Sequence, residues 1–457
     1  MPEGRRTACR FRRSGPGGRA DHRGAATLLL VLALLALAPA GLAAVDRVPR
    51  PEFQSGYQLP DLQVPPPRSS LLEYLDVAVL VLCLAAASWL ALRARSREGI
   101  FLLGAFSIGY FGFFRKGCVC PVGSLQNVAL ALLDPGYALP VTVVLFFALP
   151  LLTALLVGRT FCAAVCPLGA IQDAVVVKPL RLPRWLAGPL GFLPVIYLGL
   201  ALLFAATGAE FVVCRFDPFV SFYRMGGSLE MLALGASFLL LGTVVARPYC
   251  RFLCPYGVLL GWLSRLSLQH ATITPDKCVQ CRLCGEACPF DAIRPPTPAL
   301  VVPPRSEKRA FAAGLAALPL LLGLGALAGW LASPVLAGVH PEVRLAAQVQ
   351  REDAGLAATT TLESDTFRAS SRTLEELQAS AAAALRRFAA GGPLLGGFVA
   401  LLAGLTWLAT YRRRRRTDYE PDRGECLSCG RCFAYCPREH LRLRELPGGR
   451  TGPRGRP

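Results

Sequence analysis

Charge is scarce in this sequence: Asp, Glu, Lys and Arg make up 17% of its 457 residues, against about a quarter in an ordinary soluble domain. With 53% of residues hydrophobic, water alone is a poor solvent for the chain. Histidine is scarcer still. Only His22, His270, His340 and His440 occur, none well inside an apolar run, and there is no C-x-x-C-H, so membrane haem held by paired histidines is not expected. No nucleophile-base constellation, phosphate loop or zinc-protease motif is present, which leaves hydrolytic chemistry without support. The apolar runs hold almost no charge, so they lack the paired midplane carboxylates that a transporter would use.

What is present is a series of uncharged apolar runs: 25–45, 77–92, 99–114, 135–158, 185–209, 231–246, 310–339 and 388–411. Those at 77–92, 99–114 and 231–246 fall short of the roughly 20 residues that cross about 30 Å of hydrocarbon, so they need flanking residues or cover from neighbouring helices. The run at 99–114 also suits a re-entrant segment. The formal charge is +19, from 49 basic and 30 acidic residues. The excess lies beside apolar runs, in Arg5, Arg6, Arg10, Arg12 and Arg13 and again in Arg412 to Arg416. Basic patches there fit cytoplasmic loops of a membrane protein, not a nucleic-acid surface, so a lipid bilayer is the expected partner and nucleic acid is not. Placing Arg93 and Arg95 inside also puts Lys178, Arg181, Arg184, Arg247, Arg251, Arg305, Lys308 and Arg309 inside, while Arg115 and Lys116 fall outside against the rule.

The expected organisation follows. Residues 1–45 read as a signal peptide or a signal anchor, with Ala38-Pro39-Ala40 near their end, and 46–70 as a Pro-rich extracytoplasmic linker. A membrane core spans 71–270, and half of a ferredoxin module spans 271–304. A transmembrane helix at 305–339 leads to an extracytoplasmic helical segment at 340–387, amphipathic around Leu374, Leu377 and Leu385. A second transmembrane helix at 388–411 returns the chain, and 412–457 hold the other ferredoxin half and a basic tail. The fold class is mainly α: a polytopic membrane helix bundle of seven to eight spans with a small cytoplasmic bis-[4Fe-4S] ferredoxin-like module.

The cysteines carry the chemistry. Cys278-x2-Cys281-x2-Cys284-x3-Cys288-Pro289 is repeated as Cys426-x2-Cys429-x2-Cys432-x3-Cys436-Pro437. In such a run three thiolates cap one cluster and the fourth reaches the neighbouring one. One [4Fe-4S] cluster then takes Cys278, Cys281, Cys284 and Cys436, and the other takes Cys426, Cys429, Cys432 and Cys288. Zinc is the alternative, but it wants four ligands in pairs, not crossed triplets and singles. Two predicted spans separate the halves, which returns them to one face; two separate single-cluster sites are the other arrangement.

A second repeat sets Gly158-Arg159-Thr160-Phe161-Cys162 through Cys166-Pro167-Leu168-Gly169 against Ala246-Arg247-Pro248-Tyr249-Cys250 through Cys254-Pro255-Tyr256-Gly257. Each copy is expected to end a span on the cytoplasmic side, where Cys162, Cys166, Cys250 and Cys254 make a candidate third site; small cysteines packed at helix ends, or a dithiol pair, are the alternatives. A degenerate third copy, Cys118-Val119-Cys120-Pro121-Val122-Gly123-Ser124-Leu125-Gln126, parallels Cys166 through Gln172 and ends a span of the opposite sense. Cys214 falls on that same outer face. Cys118, Cys120 and Cys214 suit an outer-face cluster with Asp217 or an external group as fourth ligand, a disulfide, or inert packing. Cys9 and Cys83 stand alone. Arg282, Arg431, Arg247 and Arg251 lie near the ligands, where positive charge favours the more reduced state of a cluster.

These motifs resemble the polyferredoxin membrane proteins typified by NosR and NapH. The resemblance covers roughly residues 75–295 and the C-terminal cysteine motif. It implies iron-sulfur electron transfer between the quinone pool or a cytoplasmic carrier and an extracytoplasmic redox partner, in a bacterial cytoplasmic membrane. NosR-like proteins carry a flavin-binding domain before the membrane core; residues 46–70 are too short for one, and no S-G-A-T attachment motif occurs. The oxidase-assembly relatives of the group supply the rival expectation of a redox-sensing or metal-handling maturation factor, since thiolates also suit copper(I).

Overall fold

The computed structural model describes residues 69–117, 120–177, 179–273, 278–297, 305–357, 359–411 and 416–445. The signal or anchor segment, nearly all of the linker, Cys9 and Cys118 lie outside these residues. Helix α1 (Ser70–Leu92) begins after Ser69. Helix α2 (Arg97–Ser107), capped by Ser96, runs on as a π-helical stretch Ile108–Phe114. Helices α3 (Pro121–Leu133), α4 (Val141–Val157), α5 (Pro167–Ala174), α6 (Arg184–Thr207), α7 (Leu229–Val244) and α8 (Pro255–Arg265) complete the cysteine-bearing core. Helix α9 (Arg305–Ala337) and helix α12 (Leu374–Ala409) form a hairpin, with Phe311 edge-on to Tyr411 at its base. Helices α10 (Pro341–Asp353) and α11 (Leu362–Ala369) lie between them in sequence and close over Leu377 through Val349 and Phe367.

Among the described residues, α1, α6, α9 and α12 are long and apolar enough to cross a membrane, and α3, α4 and α7 are shorter apolar helices. The chain is a mainly helical membrane protein. Their exposed leucines and tryptophans, such as Leu82, Trp89, Leu320 and Trp330, are what a lipid-facing surface requires, because lipid leaves apolar side chains no reason to hide. Helix α12 is continuous through residue 388, so the amphipathic segment and the second span of the hairpin are one rod.

The feature that positions the site is a set of half-helices. After α4 the chain turns at Gly158, whose φ of +80° suits only glycine, and heads back into the bundle as a π-helical turn, Phe161–Val165. Cys166 stops that turn, with its N–H donating to Phe161 O, five residues back. Pro167 then starts α5, as a fixed φ and a missing N–H favour. The second copy repeats this: the Cys254 N–H donates to Tyr249 O, and Pro255 starts α8. Tyr256 donates its hydroxyl proton to Phe147 O, and the N–H groups of Leu268 and Gln269 donate to Leu155 O and Leu156 O. Helix α8 therefore lies beside α4 and runs the same way. Phe147 is ten residues before Val157, so the Cys254 end of α8 lies about 15 Å inward from the end of α4. The repeat predicts these cysteines at helix ends, and Cys166 and Cys254 do stand at the starts of α5 and α8; the turn at Gly158 and the two backbone closures set those starts inward from the end of α4.

The ferredoxin halves meet at the same end as the α4 terminus. Strand β1 (Ile293–Arg294) pairs antiparallel with strand β2 (Glu420–Pro421), Ile293 opposite Pro421. Arg159 donates to Gly424 O at 3.0 Å, Ser264 to Arg423 O at 2.6 Å and Arg181 to Gly285 O at 2.6 Å. Arg95 pairs with Glu439 at 2.9 Å and lies over the Phe433 ring.

Candidate iron-sulfur site

Two thiol quartets each line a cavity. Cys278, Cys281, Cys284 and Cys436 share one with Ile273, Tyr419 and Arg438. Cys162, Cys166, Cys250 and Cys254 share the other with Val122, Arg159, Phe161 and Tyr256. The remaining four of the ferredoxin motifs, Cys288, Cys426, Cys429 and Cys432, are mutual neighbours in the module's core, and Cys162 packs against that same core. The quartets thus follow one another: ferredoxin, ferredoxin, membrane.

Burial pushes the Cys284 thiol up to about 11 and Cys426 to about 12. Such groups stay neutral until a metal takes them as thiolates, so loading would release protons. Among the described residues, no three Cys, His, Asp or Glu converge on the position of a single metal ion. Four thiols at each cavity match the ligand count of a [4Fe-4S] cluster.

The membrane cavity passes a further test of fit. The Nε–H groups of Arg159 and Arg247 are buried without a hydrogen-bond partner among the described residues, and Arg159 lines the cavity. Helices α3, α5 and α8 all start there, at Cys120, Cys166 and Cys254. The positive ends of their dipoles and two guanidiniums favour an anionic occupant, which a cluster with four thiolates is.

Asp173, which no motif singles out, ties this cavity to the ferredoxin module. Arg97 donates to its Oδ2 at 2.5 Å, Arg431 to its Oδ1 at 3.0 Å, and Arg247 lies 3.5 Å away. Burial opposes its charge, and Arg247, Arg97 and Arg431 overcome that, holding the carboxyl well below the usual carboxylate range. Arg247, with no exposed surface, also donates to Cys162 O and Ala163 O, while Arg97 donates to Cys429 O at 3.0 Å. One carboxylate thus joins the membrane pair, helix α2 and the second ferredoxin motif. Its only sequence signal is an acid four residues after the Gly of a C-P-x-G, readable once the repeat is known to be re-entrant.

Of the outer candidates, Cys120 caps α3, Cys214 is exposed and Asp217 is buried; Cys118 lies outside the described residues.

Comparison with known proteins fits this geometry. The family described as "4Fe-4S binding domain" matches residues 139–192 and 228–273, which contain both C-x3-C-P pairs, and a second family of that description matches 271–294. Regulatory protein NosR of Pseudomonas aeruginosa is 27% identical over 207 residues, 42% of this chain and 29% of NosR. The putative electron transport protein YccM of Escherichia coli is 24% identical over 189 residues, 37% of this chain and 52% of YccM. These matches support the resemblance to the NosR/NapH-like membrane polyferredoxins. The uncharacterized protein MJ0749 of Methanocaldococcus jannaschii is 29% identical over 137 residues, 30% of this chain and 54% of its own. The match spans about half the length of YccM and of MJ0749. No solved structure matches this chain.

Proposed function

We propose that this polyferredoxin is a one-electron carrier of a bacterial cytoplasmic membrane, linking the quinone pool or a soluble carrier on the ferredoxin side to a redox protein on the other face. Three [4Fe-4S] clusters would be held by Cys278, Cys281, Cys284 and Cys436; by Cys288, Cys426, Cys429 and Cys432; and by Cys162, Cys166, Cys250 and Cys254. The observation that carries this reading is the cavity of four thiols inside the helical core, directly behind the ferredoxin quartets. A bound cluster supplies a one-electron couple whose potential follows its charge, hydrogen bonds and burial.

The chain's own residues do the rest. Arg159 and Arg247 bring positive charge and N–H donors to the membrane quartet, Asp173 offsets part of that charge, and Phe161, Tyr256 and Val122 keep water from the sulfurs. A single jump across about 30 Å of hydrocarbon is too long for one hop, and thiols about 15 Å inward shorten it.

The test uses sealed vesicles containing the full chain, with a membrane-impermeant reductant outside and a dye acceptor trapped within. Dye reduction that depends on the protein and stops with Cys250→Ser is the expected result. Dye that stays oxidised, as in empty vesicles, rules out transfer across the membrane.

A further inference from the structure

Helix α3 repeats the membrane quartet's construction in the opposite sense. It leaves the cavity in the direction opposite to α5 and α8, since seven residues join its end at Leu133 to the start of α4 at Val141. Cys120 caps α3 as Cys166 caps α5, with proline following in both.

The agreement extends to single hydrogen bonds. Gln172 Oε1 accepts from the N–H of Tyr249, the residue before Cys250, at 3.0 Å. Gln126 Oε1 accepts from the N–H of Val213, the residue before Cys214, at 2.8 Å. Both glutamines are fully buried. Gly169 lies against the Cys250 sulfur, which a Cβ there would meet at 3.8 Å, and Gly123 lies against the Cys214 sulfur, which a Cβ would meet at 3.0 Å. The ligand after Cys250 is Cys254, followed by Pro255 and accepting from the Gly257 N–H at 3.3 Å. The group after Cys214 is Asp217, followed by Pro218 and accepting from the Phe219 N–H at 2.9 Å. Asp217 is a carboxylate with 4% of its surface exposed, standing where the other copy has a thiol.

We propose that Cys120, Cys214 and Asp217 form a further iron-sulfur site at the start of α3, with an Asp217 oxygen in the role Cys254 sulfur plays in the membrane quartet. The proposal rests on the electron-carrier reading and extends it by one further centre. Carboxylate oxygen is a harder ligand than thiolate, so this centre differs spectroscopically from the all-thiolate ones. The exposure of Cys214 opens it to a partner.

The full chain, grown on 57Fe and isolated without oxygen, tests this by iron and sulfide assay, Mössbauer and electron paramagnetic resonance spectra. Cys214→Ser is expected to lose the iron of one centre and one signal, leaving the signals of the ferredoxin and membrane quartets intact. Asp217→Cys is expected to keep its iron and change that same signal. The proposal is overturned if Cys214→Ser keeps the full iron content and every signal, if Asp217→Cys leaves the spectra unchanged, or if mass mapping recovers Cys120 and Cys214 as a disulfide. Wild-type protein without iron at the four thiols of the membrane cavity contradicts the electron-carrier reading itself, a separate result.

Discussion

Helices α5 and α3 share one local design, a cysteine cap, a proline, a glycine that admits a foreign sulfur, and a buried glutamine that holds the short helical segment bearing it. They part at the seventh residue after the cysteine. On α5 this is Asp173, gripped by three arginines from three segments. On α3 it is Asn127, which donates to Gly123 O at 3.2 Å and accepts from the Tyr137 hydroxyl at 2.6 Å. The first copy is bolted to a second module by charge, while the second is closed by neutral local bonds. A repeat can therefore preserve a site's frame while changing what the site is attached to.

The most severe way to break the comparison is Cys250→Ser, which should remove the membrane centre and leave both ferredoxin centres, as read by iron content and spectra. Next, Asp173→Asn strands the fully buried Arg247 without its counter-charge, which should cost on the order of 3–5 kcal/mol; thermal unfolding in detergent measures it, and an unchanged midpoint would deny Asp173 its bridging role. At the matching position, Asn127→Ala should cost only about 1 kcal/mol by the same assay, the size of a neutral hydrogen bond. The smallest effect lies outside both copies. The Arg372 hydrogen bond holds the Glu342 carboxyl below its ordinary value, with burial opposing and Ser380 assisting. This stabilisation is present above the unfolded-state value and fades as pH falls through the folded one. Glu342→Gln should therefore change stability by less than about 1 kcal/mol at neutral pH and by nothing in acid.

Much of this was legible in the sequence. Cys278, Cys281, Cys284 and Cys436 line one cavity, as a crossed reading of the cysteine spacing expects, and Cys162, Cys166, Cys250 and Cys254 line another, as their repeat suggests. The helical membrane class followed from uncharged runs. The turn back into the bundle after Gly158 was not legible, because an apolar run reads the same whether the chain continues outward or doubles back. The hydrogen bonds of Cys166 to Phe161 and Cys254 to Tyr249 are backbone events that leave no residue signature. Asp173 was hidden for a related reason: Arg97, Arg247 and Arg431 are far apart in the chain, and only folding makes them one cluster.

The most direct measurement is the iron and acid-labile sulfide content of the full chain isolated without oxygen. Three filled thiol quartets give at least roughly twelve of each per chain. Colourless, sulfide-free protein, or a count of roughly eight that accounts for the ferredoxin pair alone, would contradict a cluster inside the helical core.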